Sequence, residues 1–236
     1  MSHAGIWAVV PVKRFSTAKS RLAPVLDVGE RTRLAQVMFE DVLDLLLRCH
    51  ELLAGTVVVT SDRDAAAWAR QCGAAVVFDH GDSGINAAVG LAIDRIGDDA
   101  SMVIPSDIPQ ILPHAIMTAA EAVASPRTLA IAAAADGGTN LLACRPAGAM
   151  PLCYGPRSFD LHRDSAVQAG LSVYALDLPE LSLDIDRPED LRGFLSLKSE
   201  TRTHAYLSRL GVGARLEQRD RLEIQRAGCA AAGVSS

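Results

Sequence analysis

Short β-branched runs alternating with longer segments of helical periodicity predict a three-layer α/β sandwich around a mostly parallel sheet. Strand-like runs recur at Ile6–Val12, Thr56–Thr60, Ala74–Phe78 and Ser101–Ile104, each followed by a helix-length stretch. Parallel neighbours joined this way need right-handed crossovers. Hairpin chemistry in the second half then predicts that one antiparallel strand joins the sheet.

The first run, Ile6-Trp7-Ala8-Val9-Val10-Pro11-Val12, reads as a buried strand and opens into a loop with four cations in nine residues: Lys13, Arg14, Lys19 and Arg21. Pro24 and Asp27-Val28-Gly29-Glu30 make a turn and a helix start. From Glu30 to about Leu53 the residues Leu34, Val37, Met38, Val42, Leu45 and Leu46 form one apolar stripe, and Gly55 is the expected stop. Ser61-Asp62 caps a helix from Arg63 to Cys72 that ends at Gly73. The loop Asp79–Asn86 feeds a helix ending near Gly97. Pro105-Ser106-Asp107-Ile108-Pro109 closes the fourth strand, and Pro113 suits the first turn of a helix to about Ala124.

Thr128–Ala135 reads as a strand. Asp136-Gly137-Gly138-Thr139-Asn140 turns the chain into a further strand, Leu141–Cys144. Ser158–Ala169 is helical, Leu171–Ala175 is a strand, and Leu183-Asp184-Ile185-Asp186 is a short one. Arg187-Pro188-Glu189-Asp190 opens a helix for which Asp186 is a cap candidate. The domain is expected to occupy residues 1–197. Residues 198–236 form a C-terminal extension, helical at His204–Leu210 and disordered over its last ten or so residues.

Composition narrows the partners. An apolar fraction of 49% with 22% charged residues is that of an ordinary soluble globule. A net charge of −5 provides no global positive field for a nucleic-acid backbone, so none is expected. No run of about 18 apolar residues offers a membrane span. Five cysteines, an odd number without a C-x-x-C pair, suit a reducing cytoplasm better than a disulfide scaffold or zinc site.

Ligands of open α/β sheets sit beyond the carboxyl ends of the strands, so the basic loop there suggests a polyanion such as a nucleoside triphosphate. Asp107 lies just past the fourth strand between two prolines. Asp184 and Asp186 are two apart in extended chain and share a face. Such hard oxygen donors suit magnesium. A turn aspartate and a helix cap explain Asp107 and Asp186 taken singly; together with the basic loop and the Gly-Gly-Thr turn, one shared site explains them better. Gly137, Gly138 and Thr139 offer backbone N–H groups and a hydroxyl for an anion, or form a plain hairpin turn. Tyr154-Gly155-Pro156-Arg157-Ser158 opens a helix with either an anion site or an ordinary serine cap.

Several classes are absent. There is no G-x-x-x-x-G-K-S/T, no G-x-G-x-x-G after the first strand and no G-x-S-x-G elbow. Six histidines (His3, His50, His80, His114, His162, His204) show no metal spacing and are expected mostly at the surface or as caps. The cysteines are packing residues, with Cys153 the one placed to line a pocket.

Pro11-Val12-Lys13, Ala18-Lys19-Ser20-Arg21-Leu22-Ala23-Pro24, Pro105-Ser106-Asp107-Ile108-Pro109, Gly137-Gly138-Thr139-Asn140, Gly155 with Ser158-Phe159, and Leu183-Asp184-Ile185-Asp186 with Pro188-Glu189-Asp190-Leu191 resemble the CofC/FbiD guanylyltransferases of coenzyme F-420 biosynthesis. The resemblance spans roughly residues 6 to 195. It implies a MobA-like nucleotidyltransferase fold and transfer of GMP from GTP to 2-phospho-L-lactate, phosphoenolpyruvate or 3-phospho-D-glycerate. It places magnesium on Asp107, Asp184 and Asp186, and the acceptor on Thr139, Gly155 and Ser158. The nucleotide falls on Pro11, Lys13, Lys19, Asn86 and Pro105, with Lys13, Lys19, Arg21 and Asp107 catalytic. It also implies a downstream transferase that consumes the product; separately from the resemblance, a cytoplasmic setting and a homodimer are expected. Two motifs depart conservatively: Pro-Ser-Asp-Ile-Pro replaces Pro-Ala-Asp-Leu-Pro, and Gly84-Ile85-Asn86 replaces Gly-Leu-Asn. The rival readings are a nucleotide-sugar glycosyltransferase using Asp184-Ile185-Asp186 as its D-x-D motif, and a non-catalytic nucleotide-binding protein.

Overall fold

A computed structural model describes residues 5–81 and 84–232, with side chains left out at 223, 224 and 226–232. Asp82, Ser83 and His3 of the motifs above, and the side chain of Cys229, lie outside the described residues. Seven strands form one sheet: β1 (Ile6–Val12), β2 (Gly55–Thr60), β3 (Ala75–Phe78), β4 (Ala100–Val103), β5 (Thr128–Ala133), β6 (Thr139–Arg145) and β7 (Ser172–Ala175). Their order is β3-β2-β1-β4-β6-β5-β7. The pairs β1–β2, β2–β3, β1–β4 and β5–β7 are parallel, while β6 runs antiparallel to both β4 and β5. The single reversed strand predicted from the Gly137-Gly138 turn is therefore present. Gly137 occupies φ +85° there, and the Asp136 carboxylate accepts from the Gly138 N–H at 2.9 Å.

Strand alternation divides the core. Ile6, Ala8, Val10 and Val12 face one cluster with α1 (Val28–Arg48), α2 (Arg63–Gln71) and α4 (Pro113–Ala122). Val9, Val57 and Val59 face the other with α3 (Ile85–Ile96) and α5 (Ser158–Gln168). Helices on both faces leave no wet side, which is why the strands are nearly all apolar.

Helix α1 begins where the sequence places it, with Asp27 and Glu30 each accepting the other's backbone N–H in a capping box. It ends at Arg48 rather than near Leu53, and Gly55 starts β2 instead of stopping the helix. The glycine is needed there because a Cβ would sit 2.5 Å from the Trp7 ring. Nor is its apolar surface one stripe. Val42, Leu45 and Leu46 pack on the sheet, whereas Leu34, Val37 and Met38 belong to a third cluster with Leu22, Ile185, Leu191 and Phe194.

That third cluster also contains Tyr206, Leu207, Val212 and Leu216 from α7 (Arg202–Arg209) and α8 (Val212–Ala232), packed with α6 (Pro188–Ser196). Asp41 of α1 accepts from the N–H groups of Arg202 and Thr203 at 3.0 and 2.9 Å, capping α7 from a distance. The stretch beyond Leu197 is thus more helical than its polar composition suggested. The backbone of α8 continues through residues 227–232, where disorder was expected, and residues 233–236 lie outside the described part. No helix among the described residues is long and apolar enough to cross a membrane.

Candidate active site

The chain runs from β1 outward to β2 and β3, then returns to place β4 on the other side of β1. Beyond the carboxyl ends of β1 and β4 the crossovers diverge, and a crevice opens. A cleft of about 310 Å³ lies there, lined among others by Pro11, Lys13, Lys19, Pro105, Asp107 and Asp186. Further walls come from Thr60 at the end of β2 and Ser61 just after it, Asp79 after β3, and Gly84, Ile85 and Ala88 at the start of α3, with Asn86 not among the lining residues. This is within the range of small-molecule sites.

Asp107, Asp184 and Asp186 each offer a carboxylate oxygen, all within 4.8 Å of one another. Residues 183–186 form no strand, contrary to the sequence expectation; they have no regular secondary structure, and the N–H groups of Ile185 and Asp186 bond to Asp107 and Asp190. The Ile185 N–H donates to the Asp107 carbonyl at 3.2 Å, stitching the two acidic segments together. Ile185 is itself fully buried against Leu191 and Phe194, so its neighbours on either side turn their carboxylates the other way. The hairpin turn supports this segment from behind. The Ala135 N–H donates to the Ser182 carbonyl at 3.0 Å, and the buried Asn140 amide donates to the Leu181 carbonyl at 2.7 Å. Asp186 does not cap α6: the Asp190 carboxylate does so, accepting from the N–H groups of Asp186 and Arg187 at 2.9 and 2.6 Å. The Asp186 side chain is thereby left to the cleft.

Lys19 occupies the left-handed region at φ +57°, unusual for a residue with a side chain. That backbone turn, between the 3₁₀ turns Phe15–Thr17 and Ser20–Leu22, aims the ammonium at the acids. Its Nζ lies 2.7 Å from Asp107 and 2.6 Å from Asp186, and the side chain is only 7% exposed. Burial alone would lower the Lys19 pKa, but Asp107 and Asp186 together raise it above the usual lysine value. Burial would likewise raise Asp186; Lys19, with help from Arg21 and Lys13, outweighs it and holds the carboxyl below its ordinary value. Asp184 has no such cation. Burial, then the Asp107 charge, pushes it up to about 6. The exposed Arg21 lies 3.6 Å from Asp186 on the rim. Three hard oxygen donors this close fit magnesium, which takes few carboxylates and completes its shell with water and phosphate oxygens.

Thr139, Gly155 and Ser158 are not among the residues lining this cleft. Thr139 and Ser158 are buried, with their hydroxyls 3.0 Å apart, and Thr139 is 3.1 Å from Nδ1 of His162. His162 is fully buried, against the expectation of a surface histidine, because α5 turns it inward against β6. Burial lowers its pKa to about 4. Asn86, assigned to the nucleotide, uses its amide on the Tyr154 backbone, accepting at 2.8 Å and donating at 3.1 Å. Cys153 contributes its N–H to His162 and does not line the cleft. His162 carried no functional signal in the sequence, whereas Asn140 and Asp190 entered only as members of longer motifs, without their own roles; Asp190 had the further signal of standing three residues after Arg187 at a helix start.

An α/β sheet whose switch-point crevice joins a basic loop to three carboxylates can hold a polyphosphate beside a divalent ion, and the chain's relatives make it a nucleotidyltransferase. The family description "Guanylyl transferase CofC like" matches residues 6–227, and the chain belongs to that family. It is 35% identical over 222 residues to 2-phospho-L-lactate guanylyltransferase of Methanothermobacter thermautotrophicus, covering 93% of this chain and 97% of the relative. It is 38% identical over 187 residues to phosphoenolpyruvate guanylyltransferase of a Roseiflexus species, covering 79% and 83%. Among solved structures it resembles one described as a nucleotide-diphospho-sugar transferase from Desulfovibrio desulfuricans, with TM-score 0.72, 21% identity and coverage of 91% and 98%. A nucleotidyl transferase from Methanothermobacter thermautotrophicus follows with TM-score 0.53, 20% identity and coverage of 80% and 95%. At those identities the structures establish the fold.

Proposed function

We propose that this enzyme transfers GMP from GTP to the phosphate of a small phosphorylated carboxylic acid, releasing pyrophosphate, as a step in coenzyme F-420 biosynthesis. The acceptor is 2-phospho-L-lactate, phosphoenolpyruvate or 3-phospho-D-glycerate. The observation that carries this reading is the meeting of Asp107, Asp184 and Asp186 within 4.8 Å, beside Lys19, at the mouth of the cleft.

A phosphate monoester is largely dianionic at neutral pH, so the nucleophile needs no general base. The obstacle is the mutual repulsion of two polyanions. Lys13, Lys19 and Arg21 supply positive charge for the triphosphate and the departing pyrophosphate. Pro11 and Pro105 shape the nucleotide's wall of the cleft. Asn86 acts on the nucleotide side by fixing the Tyr154 backbone against α3. Thr139, Gly155 and Ser158 take the acid. Asp107, Asp184 and Asp186 would hold magnesium, which supplies a positive centre that offsets charge on both phosphates. Holding both substrates in line supplies the remainder. The reading carries with it a cytoplasmic setting and a downstream transferase that draws the product onward.

Purified protein with GTP, magnesium and each of the three acids in turn tests it, scored by pyrophosphate. Release that requires one acid supports the reading. Binding of GTP with no release for any acid, even with a product-consuming transferase present, overturns it. Turnover only with a sugar nucleotide would instead identify a glycosyltransferase.

A further inference from the structure

We infer that His162 is a positioning residue for the acceptor site: it commits the Thr139–Ser158 hydroxyl pair to present one donor proton to an anionic oxygen of the phosphorylated acid. The inference rests on the reading of Thr139, Gly155 and Ser158 as that site.

The backbone N–H of Cys153 points at Nε2 of His162 from 2.8 Å. A backbone N–H can only donate, so Nε2 is the acceptor and the ring proton sits on Nδ1. Burial keeps the ring neutral at physiological pH. Nδ1–H therefore donates to Thr139 Oγ1, 3.1 Å away. Thr139 and Ser158 have two hydroxyl protons between them, and one fills the 3.0 Å gap separating their oxygens. The other has no acceptor among the described residues. It makes no difference which hydroxyl keeps it: His162 has no lone pair left to take it.

Both hydroxyls are more than nine-tenths buried, Thr139 being 5% and Ser158 1% exposed. A buried donor without an acceptor is unfavourable, and an incoming oxyanion relieves it with a charge-assisted bond. The position reinforces the sign, because Ser158 is the first residue of the eleven-residue α5, whose amino end favours negative charge. Tyr154, whose ring packs edge-on against His162 at 4.7 Å, carries a buried hydroxyl with no hydrogen-bond partner among the described residues. With the opposite tautomer the imidazole would absorb the spare proton, and the pair would be satisfied without a ligand.

Two substitutions divide the ring's two functions. His162→Asn keeps an amide near the Nδ1 position and loses the Nε2 acceptor. His162→Gln places an acceptor near Nε2 and leaves Thr139 without its donor. The expected result is that His162→Gln raises KM for the accepted acid about tenfold, with KM for GTP unchanged. His162→Asn should hold KM for the acid within about twofold while melting lower than wild type. Equal, wild-type KM values in both variants overturn the inference, provided Thr139→Val and Ser158→Ala raise it. If Thr139→Val and Ser158→Ala leave that KM unmoved, the acceptor-site reading fails and takes the inference with it. A readout independent of turnover and of variant folding is the ¹⁵N spectrum of the wild-type imidazole. The Nδ1–H tautomer for His162 supports the inference, and the Nε2–H tautomer refutes it.

Discussion

Replacing Lys19 by methionine tests the central electrostatic claim, because the side chain keeps its length and loses its charge. Lys19 neutralises Asp107 at 2.7 Å and Asp186 at 2.6 Å. Without it, like charges face one another with Asp184 beside them, all within 4.8 Å. At an effective dielectric of about 20, two unit charges at that separation repel by about 3.5 kcal/mol. Water discounts this figure, since the Asp107 and Asp186 side chains are 28% and 39% exposed. Removing one partner of a fully buried pair destabilises by about 3–5 kcal/mol, so a loss of about 2–3 kcal/mol is expected here. For a chain of this size that lowers the melting temperature by roughly 5–10 °C. The assay is thermal denaturation in chelator and again with magnesium. Magnesium at ten times its dissociation constant stabilises by about 1.4 kcal/mol, and it should help the variant more than the wild type, where Lys19 competes for the same carboxylates. A variant that melts with the wild type in chelator would refute the reasoning, because the acids would then not depend on the lysine.

Asp107→Asn should lower kcat about 10²–10³-fold or more in a chain that still folds, since the backbone carbonyl that accepts from Ile185 survives and Asp186 still pairs with Lys19; near-normal pyrophosphate release would remove the carboxylate from the mechanism. The neutral, buried His162 gives stability a pH dependence of defined sign. Its folded pKa of about 4 lies below the ordinary histidine value of about 6.5, so the unfolded chain takes up a proton that the fold refuses. This contribution of His162 is fully present above about pH 6.5 and is lost, up to about 3 kcal/mol of it, as pH drops from there to about 4. Urea midpoints of wild type and His162→Asn should therefore converge across that window, and parallel curves would contradict the assignment. Gly55→Ala drives a Cβ to 2.5 Å from the Trp7 ring and should destabilise by about 1–3 kcal/mol, measured by urea unfolding; an unchanged midpoint would mean that the indole yields freely.

Much of the architecture was legible because its signals are local. The run Ile6–Val12, the Asp27/Glu30 capping box and the Asp62 cap each state their structure within a few residues. The glycine turn at 137–138 announced the reversed strand in the same way. The three aspartates could be singled out as well, since Asp107 sits at a strand end and Asp184 and Asp186 alternate in extended chain. The end of α1 was harder, because the polar turn after Arg48 holds enough apolar residues to mimic continued periodicity.

What the sequence determined was the alternation that makes a layered sheet, the strand ends where a ligand belongs, and the acids and cations able to serve one. What only the tertiary structure decided was how those groups pair. Lys19 reaches Asp107 and Asp186 across 88 and 167 residues of chain, and His162 meets Thr139 across 23. Helix α1 likewise divides its apolar surface between the sheet and the C-terminal helices. The reason is physical: periodicity and capping act over one or two turns of chain, whereas charge pairing and hydrogen-bond direction depend on distances that exist only after the sheet has closed.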